Sequence, residues 1–174
     1  MIRVVVAGGH PLVLEGPRSL IEDTAGTELA GQATTGDEAV AVTLEQRPDV
    51  VVMDLRMPGT DGVPATRRIL REAPGTAILI LTMVDEDASL FAALRAGTRG
   101  YVLKGSGPQE ILRAIRVVAD SEAVFGSAIA GRLTLSEKTV RNNVSNIFTK
   151  LRVTDRAAAV AKARDAGLGN PPPP

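Results

Sequence analysis

The sequence predicts an α/β protein: a doubly wound, five-stranded parallel sheet followed by a small all-α C-terminal region. Short apolar stretches alternate five times with stretches of helical periodicity over residues 1–120. Three of those strands end on a polar residue, with Asp54 after Val50–Met53, Thr82 after Ala77–Leu81 and Lys104 after Tyr101–Leu103. A fourth, Val4–Ala7, ends on Gly8-Gly9. Ligands of an open parallel sheet sit beyond the carboxyl ends of its strands, so these positions are expected to line one crevice. A carboxylate, a hydroxyl and an ammonium gathered there have the makings of a phosphoryl site.

Ile2–Ala7 reads as a buried strand, and Pro11 suits the first turn of the helix that follows. Gly16-Pro17 falls inside that helix, where an interior proline removes a hydrogen bond, so a kink or a split is expected. Leu29–Ala33 is a shorter strand, after which Asp37 is expected to cap a helix reaching about Gln46, with Val40, Ala41 and Leu44 on one face. Val50–Met53 is apolar throughout, as in a strand covered on both sides. Pro64 opens a third helix, Ala77–Leu81 forms a fourth strand, and Asp85–Ala96 forms a helix ended by Gly97. Gly100–Leu103 is the fifth strand, and Pro108 opens a helix to about Asp120. Five such units imply a flavodoxin-like strand order.

Composition excludes several chemistries. The 174 residues contain no cysteine and one histidine, His10, which removes disulfides, thiolate nucleophiles and multi-histidine metal sites. No run of 18 apolar residues occurs, and the N-terminus lacks a basic stretch followed by an apolar one, so a soluble cytoplasmic protein without membrane contact is expected. The formal net charge of zero hides an asymmetry. Residues 1–127 carry 12 Lys/Arg against 17 Asp/Glu, a balance of −5, whereas residues 128–174 carry 8 against 3, a balance of +5. An acidic body with a basic end points to nucleic acid as partner of the end alone, or to the two halves docking on each other.

The segment Val50-Val51-Val52-Met53-Asp54-Leu55-Arg56-Met57-Pro58-Gly59, followed by Asp61-Gly62, resembles the phosphoacceptor segment of a bacterial response-regulator receiver domain. Leu81-Thr82 and Gly100-Tyr101-Val102-Leu103-Lys104 resemble that domain's other two signatures, in the right order and spacing over residues 2–120. Leu135-Ser136-Glu137-Lys138-Thr139-Val140-Arg141-Asn142, continuing to Leu151, resembles the recognition helix of the LuxR-type helix-turn-helix. Together they resemble the NarL/FixJ class of response regulators. The resemblance implies Asp54 as phosphoacceptor, Thr82 and Lys104 as the phosphoryl pocket, and Tyr101 as the switch aromatic. It also implies a cognate histidine kinase and a homodimer.

The sequence departs from that family in one place with chemical consequences. The family puts an acidic pair after the first strand, immediately before a His-Pro like His10-Pro11, and this chain has Gly8-Gly9 there. Mg²⁺ takes oxygen ligands in near-octahedral geometry, usually with one or two carboxylates. Asp54, the backbone carbonyl of Arg56 and waters are what remains, so Mg²⁺ binding is expected to be weak or absent. The glycine pair lacks the G-x-G-x-x-G spacing of a dinucleotide loop. An enzymatic role for Asp54 as a phosphotransferase nucleophile lacks both metal acids and a general base.

At the basic end, Ser136 is a good N-cap, with Leu135 and Val140 placed as a hydrophobic staple. Val140, Val144, Ile147, Phe148 and Leu151 then fall on one helical face, and Lys138, Arg141, Asn142, Ser145 and Thr149 on the other. The resemblance makes Arg141, Asn142 and Ser145 base contacts in the major groove, with Lys138 and Thr139 nearer phosphate. The domains read as a receiver over 1–120, a linker over 121–127, a shortened helix-turn-helix region over 128–167 and a Pro-rich tail over 168–174. Two functions follow: transcription control through promoter DNA, independent of ordinary phosphorylation, or a receiver-based interaction and dimerisation module without effective DNA binding.

Overall fold

The computed structural model describes residues 1–83 and 87–126. Their elements are β1 (Ile2–Ala7), α1 (Pro11–Glu22), β2 (Thr27–Ala33), α2 (Gly36–Gln46), β3 (Val50–Met53), α3 (Gly62–Glu72), β4 (Ala77–Thr82), α4 (Asp87–Ala96), β5 (Gly100–Leu103), α5 (Pro108–Ala119) and β6 (Val124–Phe125). Every strand pairing is parallel and the order is β2-β1-β3-β4-β5-β6. The chain winds from β1 outward to β2, then returns past β1 and continues through β3 to the far edge. The switch point therefore lies between β1 and β3, where a crevice opens at the carboxyl ends.

Alternation along each strand divides the apolar side chains between two cores. Val5, Ala7, Val51, Met53, Ile78 and Ile80 face α2, α3 and α4, meeting Ala39, Val40, Ala65, Ile69 and Leu90. Val4, Val6, Val50, Val52, Leu79 and Leu81 face α1 and α5, meeting Leu14, Ile21, Ile111, Ile115 and Val118. With both faces covered, β3 and β4 are buried from end to end, as their unbroken apolar runs require.

The sheet has six strands, against the five expected. Val124 and Phe125, within the stretch expected to be a linker, pair with Gly100 and Tyr101 of β5. Both are buried, and the absence of a side chain on Gly100 leaves room for Val124. A two-residue strand is too short to show any alternation in the sequence.

Helix ends also differ in detail. α2 is capped by Thr35, whose Oγ1 accepts from the Glu38 N–H at 3.2 Å, so Asp37 lies inside the first turn. Glu38 reaches back to accept from the N–H and the hydroxyl of Thr34, each at 2.7 Å. These bonds to the charged form hold the Glu38 carboxyl below its ordinary pKa. α3 begins two residues before Pro64, with Asp61 as N-cap. α1 is one unbroken helix through Pro17, so the expected split does not occur. The proline falls in the second turn, where the lost bond is a single one near the helix start. α4 ends at Gly97 as expected, where φ of +101° demands glycine.

Candidate functional site

The crevice residues are set by strand ends that lie level with one another. Ala7 pairs with Met53, Met53 with Ile80, and Thr82 with Leu103. The chain leaves β1 through Gly8, whose N–H donates to Ala33 at 3.0 Å, while the Ala7 carbonyl accepts from the Asp54 N–H at 2.8 Å. Asp54 is thereby held at the mouth of the β1–β3 switch point, 9 % exposed.

Lys104 reaches Asp54 across the ends of two strands. Its ammonium donates to Asp54 Oδ2 in an ion pair whose side chains are only 15 % and 11 % exposed. Its backbone N–H donates to the Thr82 carbonyl at 2.9 Å, joining the ends of β4 and β5. The other carboxylate oxygen of Asp54 takes a long 3.4 Å contact from the Arg56 N–H. Thr82 is fully buried at the end of β4, and Tyr101 is fully buried in the core beneath α4. The structure thus places Asp54, Thr82 and Lys104 at the carboxyl ends of β3, β4 and β5, and Tyr101 further back along β5, paired with Ile80.

The loop after Asp54 closes over the glycine pair. A Cβ on Gly9 would stand 2.8 Å from the Arg56 carbonyl oxygen and 3.0 Å from Pro58 Cδ, so backbone occupies the space of a side chain there. At Gly8 the nearest atom to such a Cβ is Leu14 Cδ2 at 2.9 Å, the flexible end of a side chain. His10 serves as the N-cap of α1, its Nδ1 accepting from the Leu12 N–H at 3.3 Å. A shallow hollow of about 420 Å³ lies outside this loop, lined by Gly9, His10, Asp54, Arg56, Pro58 and Asp61 among others.

Gly62 belongs to the site's support, a role that sequence reasoning did not assign. Its Cβ position is 2.2 Å from the Asp54 carbonyl oxygen, and its N–H donates to Leu55 at 2.9 Å. Only a residue without a side chain lets α3 start this close to the loop after Asp54. Asp61 fastens the same loop, accepting from the Met57 N–H at 3.3 Å. The Asp61-Gly62 pair directly after the Met57-Pro58-Gly59 turn is the sequence signal for this closure.

The donor set can be compared with what Mg²⁺ takes. Gly8-Gly9 contributes no carboxylate, Asp54 Oδ2 is engaged by an ammonium, and the Arg56 carbonyl faces the Gly9 backbone. Among the described residues, no three His, Cys, Asp or Glu side chains come together as a metal group. These residues do not fit the oxygen shell of a tightly held Mg²⁺. Lys138, Thr139, Arg141, Asn142 and Ser145, singled out as DNA contacts, lie outside the described residues. No described helix is long and apolar enough to cross a membrane.

A parallel sheet with an acidic residue, a threonine and a lysine at three successive strand ends defines the receiver class. Residues 4–116 match the family described as the response regulator receiver domain, and residues 126–163 match bacterial regulatory proteins of the luxR family. The chain belongs to the response regulators, of the NarL/FixJ type that joins these two parts. It is 38 % identical over 146 residues to the response regulator GacA of Pseudomonas viridiflava, covering 84 % of this chain and 67 % of that one. It is 38 % identical over 137 residues to the response regulator UvrY of Escherichia coli K12, covering 79 % and 63 %. The chain thus spans about two thirds of the length of the curated relatives it matches. A LuxR-family two-component response regulator from Aurantimonas sp. SI85-9A1 shares the fold with a TM-score of 0.72 at 37 % identity, over 75 % of this chain and 94 % of that one.

Proposed function

We propose that this response regulator controls transcription through its LuxR-type region, and that its receiver works without ordinary phosphorylation of Asp54. The observation that carries the reading is the pairing of Gly8-Gly9 with the Asp54–Lys104 ion pair. Phosphoryl transfer to a carboxylate is largely a matter of positioning and charge neutralisation. Lys104 supplies one positive charge, and the acids that would hold a divalent cation are missing. Mg²⁺ binding is accordingly weak or absent, and Asp54, Thr82 and Lys104 persist as an internal contact linking the ends of β3, β4 and β5. The receiver becomes a scaffold, acting as a homodimer, that carries the DNA-binding end to a promoter. Arg141, Asn142 and Ser145 read bases there, with Lys138 and Thr139 at phosphates; the match over residues 126–163 supports this assignment.

Two measurements on the full chain test the reading. Incubation with acetyl phosphate and Mg²⁺, followed by intact mass measurement, should leave Asp54 unmodified. An adduct that forms readily and disappears in Asp54→Asn would overturn phosphorylation independence. Promoter binding should lose affinity with salt along a slope that falls by about one for Lys138→Ala. Affinity equal to that for random DNA would replace transcription control by the interaction and dimerisation module.

A further inference from the structure

Lys104 borders a second cavity besides the Asp54 crevice. Residues of α1 and α5, with Leu81, Lys104 and Ser106, line a hollow of about 410 Å³. Its walls are apolar, from Leu12 and Leu20 of α1 and Ile111 of α5, with Leu81 at its base. Its polar end is formed by Lys104 and Ser106. The volume falls within the range of small-molecule sites, which are typically apolar with a few placed polar groups.

The unusual Gly16-Pro17 in the middle of α1 lies along this hollow. Both residues line it, and a Cβ on Gly16 would meet nothing within 4 Å. At its mouth Leu12 is 77 % exposed, a large apolar side chain left in water. A lysine ammonium carries three N–H donors, and the Asp54 contact takes one.

We propose that this hollow binds a small amphipathic carboxylate, its anionic group at Lys104 and its apolar body against Leu12, Leu20 and Ile111. Charge complementarity selects the anion, because a lysine on the rim of a mostly apolar hollow favours a carboxylate over an uncharged head group. The ligand's carboxylate and that of Asp54 then share one positive charge, so each weakens the other's hold on it, which ties occupancy of the hollow to the ends of β3 and β5. The proposal deepens the reading of a receiver governed without phosphorylation by assigning it an input, and it rests on that reading for its regulatory meaning alone. Binding itself is measured independently of the phosphodonor experiment, so either can fail while the other stands.

The test titrates the full, ¹⁵N-labelled chain with octanoate and, separately, with 1-octanol. Octanoate should shift amide resonances over 12–20 and 104–111 and bind roughly tenfold more tightly than octanol. Lys104→Met should erase that preference while leaving octanol binding in place. Gly16→Phe, which puts a ring into open space and replaces a poor helix former, should abolish binding of both with the spectrum still dispersed. Asp54→Asn, which releases the ammonium, should tighten octanoate binding severalfold and leave octanol unchanged. Equal binding of the two probes by the unmodified chain would overturn the proposal. So would octanoate affinity that neither Lys104→Met nor Gly16→Phe alters, and an Asp54→Asn variant with unchanged octanoate affinity would refute the sharing of that charge.

Discussion

Gly9 packs beneath the carbonyl oxygen of Arg56 so closely that a Cβ on it would be 2.8 Å from that oxygen. The loop following Asp54 therefore occupies volume that a side chain at position 9 would need. An acidic side chain at position 9 would need this loop to move as well as supply a carboxylate. Neighbouring Gly8 is different: its hypothetical Cβ meets a leucine methyl that can rotate away.

This contrast predicts unequal costs for two alanine substitutions. Gly9→Ala should destabilise the fold by about 1–3 kcal/mol, the usual range for forcing atoms into packed space. Gly8→Ala should change stability by less than about 1 kcal/mol, since a turn of the Leu14 side chain accommodates the methyl. Urea denaturation of the two variants measures both, and a costlier Gly8→Ala would show that the 56–58 loop moves more easily than Leu14.

The Asp54–Lys104 pair predicts strong coupling in a double-mutant cycle. Lys104→Met leaves a mostly buried carboxylate without its cation and should cost about 2–4 kcal/mol, somewhat below the range for fully buried pairs. Asp54→Asn likewise leaves the ammonium short of a partner. The double variant should recover much of the loss, giving an interaction free energy of about 1–3 kcal/mol by equilibrium unfolding. Strict additivity would mean that the two side chains do not meet in solution.

Glu38 makes stability depend on acidity at the start of α2. Its carboxyl is held below the ordinary value by the Thr34 N–H and hydroxyl. A lowered folded-state pKa means the unfolded chain binds the proton more readily, so the contribution is present above the ordinary carboxylate pKa. It is lost as the pH falls through the lowered value. Glu38→Gln should therefore lower the melting temperature slightly at neutral pH, and the two proteins should converge on acidification. A difference that persists unchanged in acid would assign the effect to packing.

Much of the frame can be read in the chain because it depends on local pattern. Val50–Met53 is a strand in sequence and in structure, since a short, valine-rich apolar run bounded by Asp49 and Asp54 suits a strand covered on both faces. The α2 cap is Thr35 and not Asp37, two residues on, because both are good caps and only backbone geometry chooses between them. Pro17 was expected to disrupt α1, yet the helix continues, since contacts such as those of Leu14 and Ile21 with the sheet outweigh one lost hydrogen bond. β6 escaped notice because two residues carry no period, and its strand character comes from the edge that β5 offers.

The sequence by itself determined the alternating strands and helices, the polar residues at three strand ends and the glycine pair at a fourth. Those are properties of neighbours along the chain, written in period and burial. Tertiary structure alone decided that the Arg56 carbonyl rests on Gly9, that Gly62 backs onto the Asp54 carbonyl, and that Gly16-Pro17 line a hollow with Lys104. Such distances follow from strand register and helix packing, which bring together segments whose separation in sequence says nothing of their separation in space.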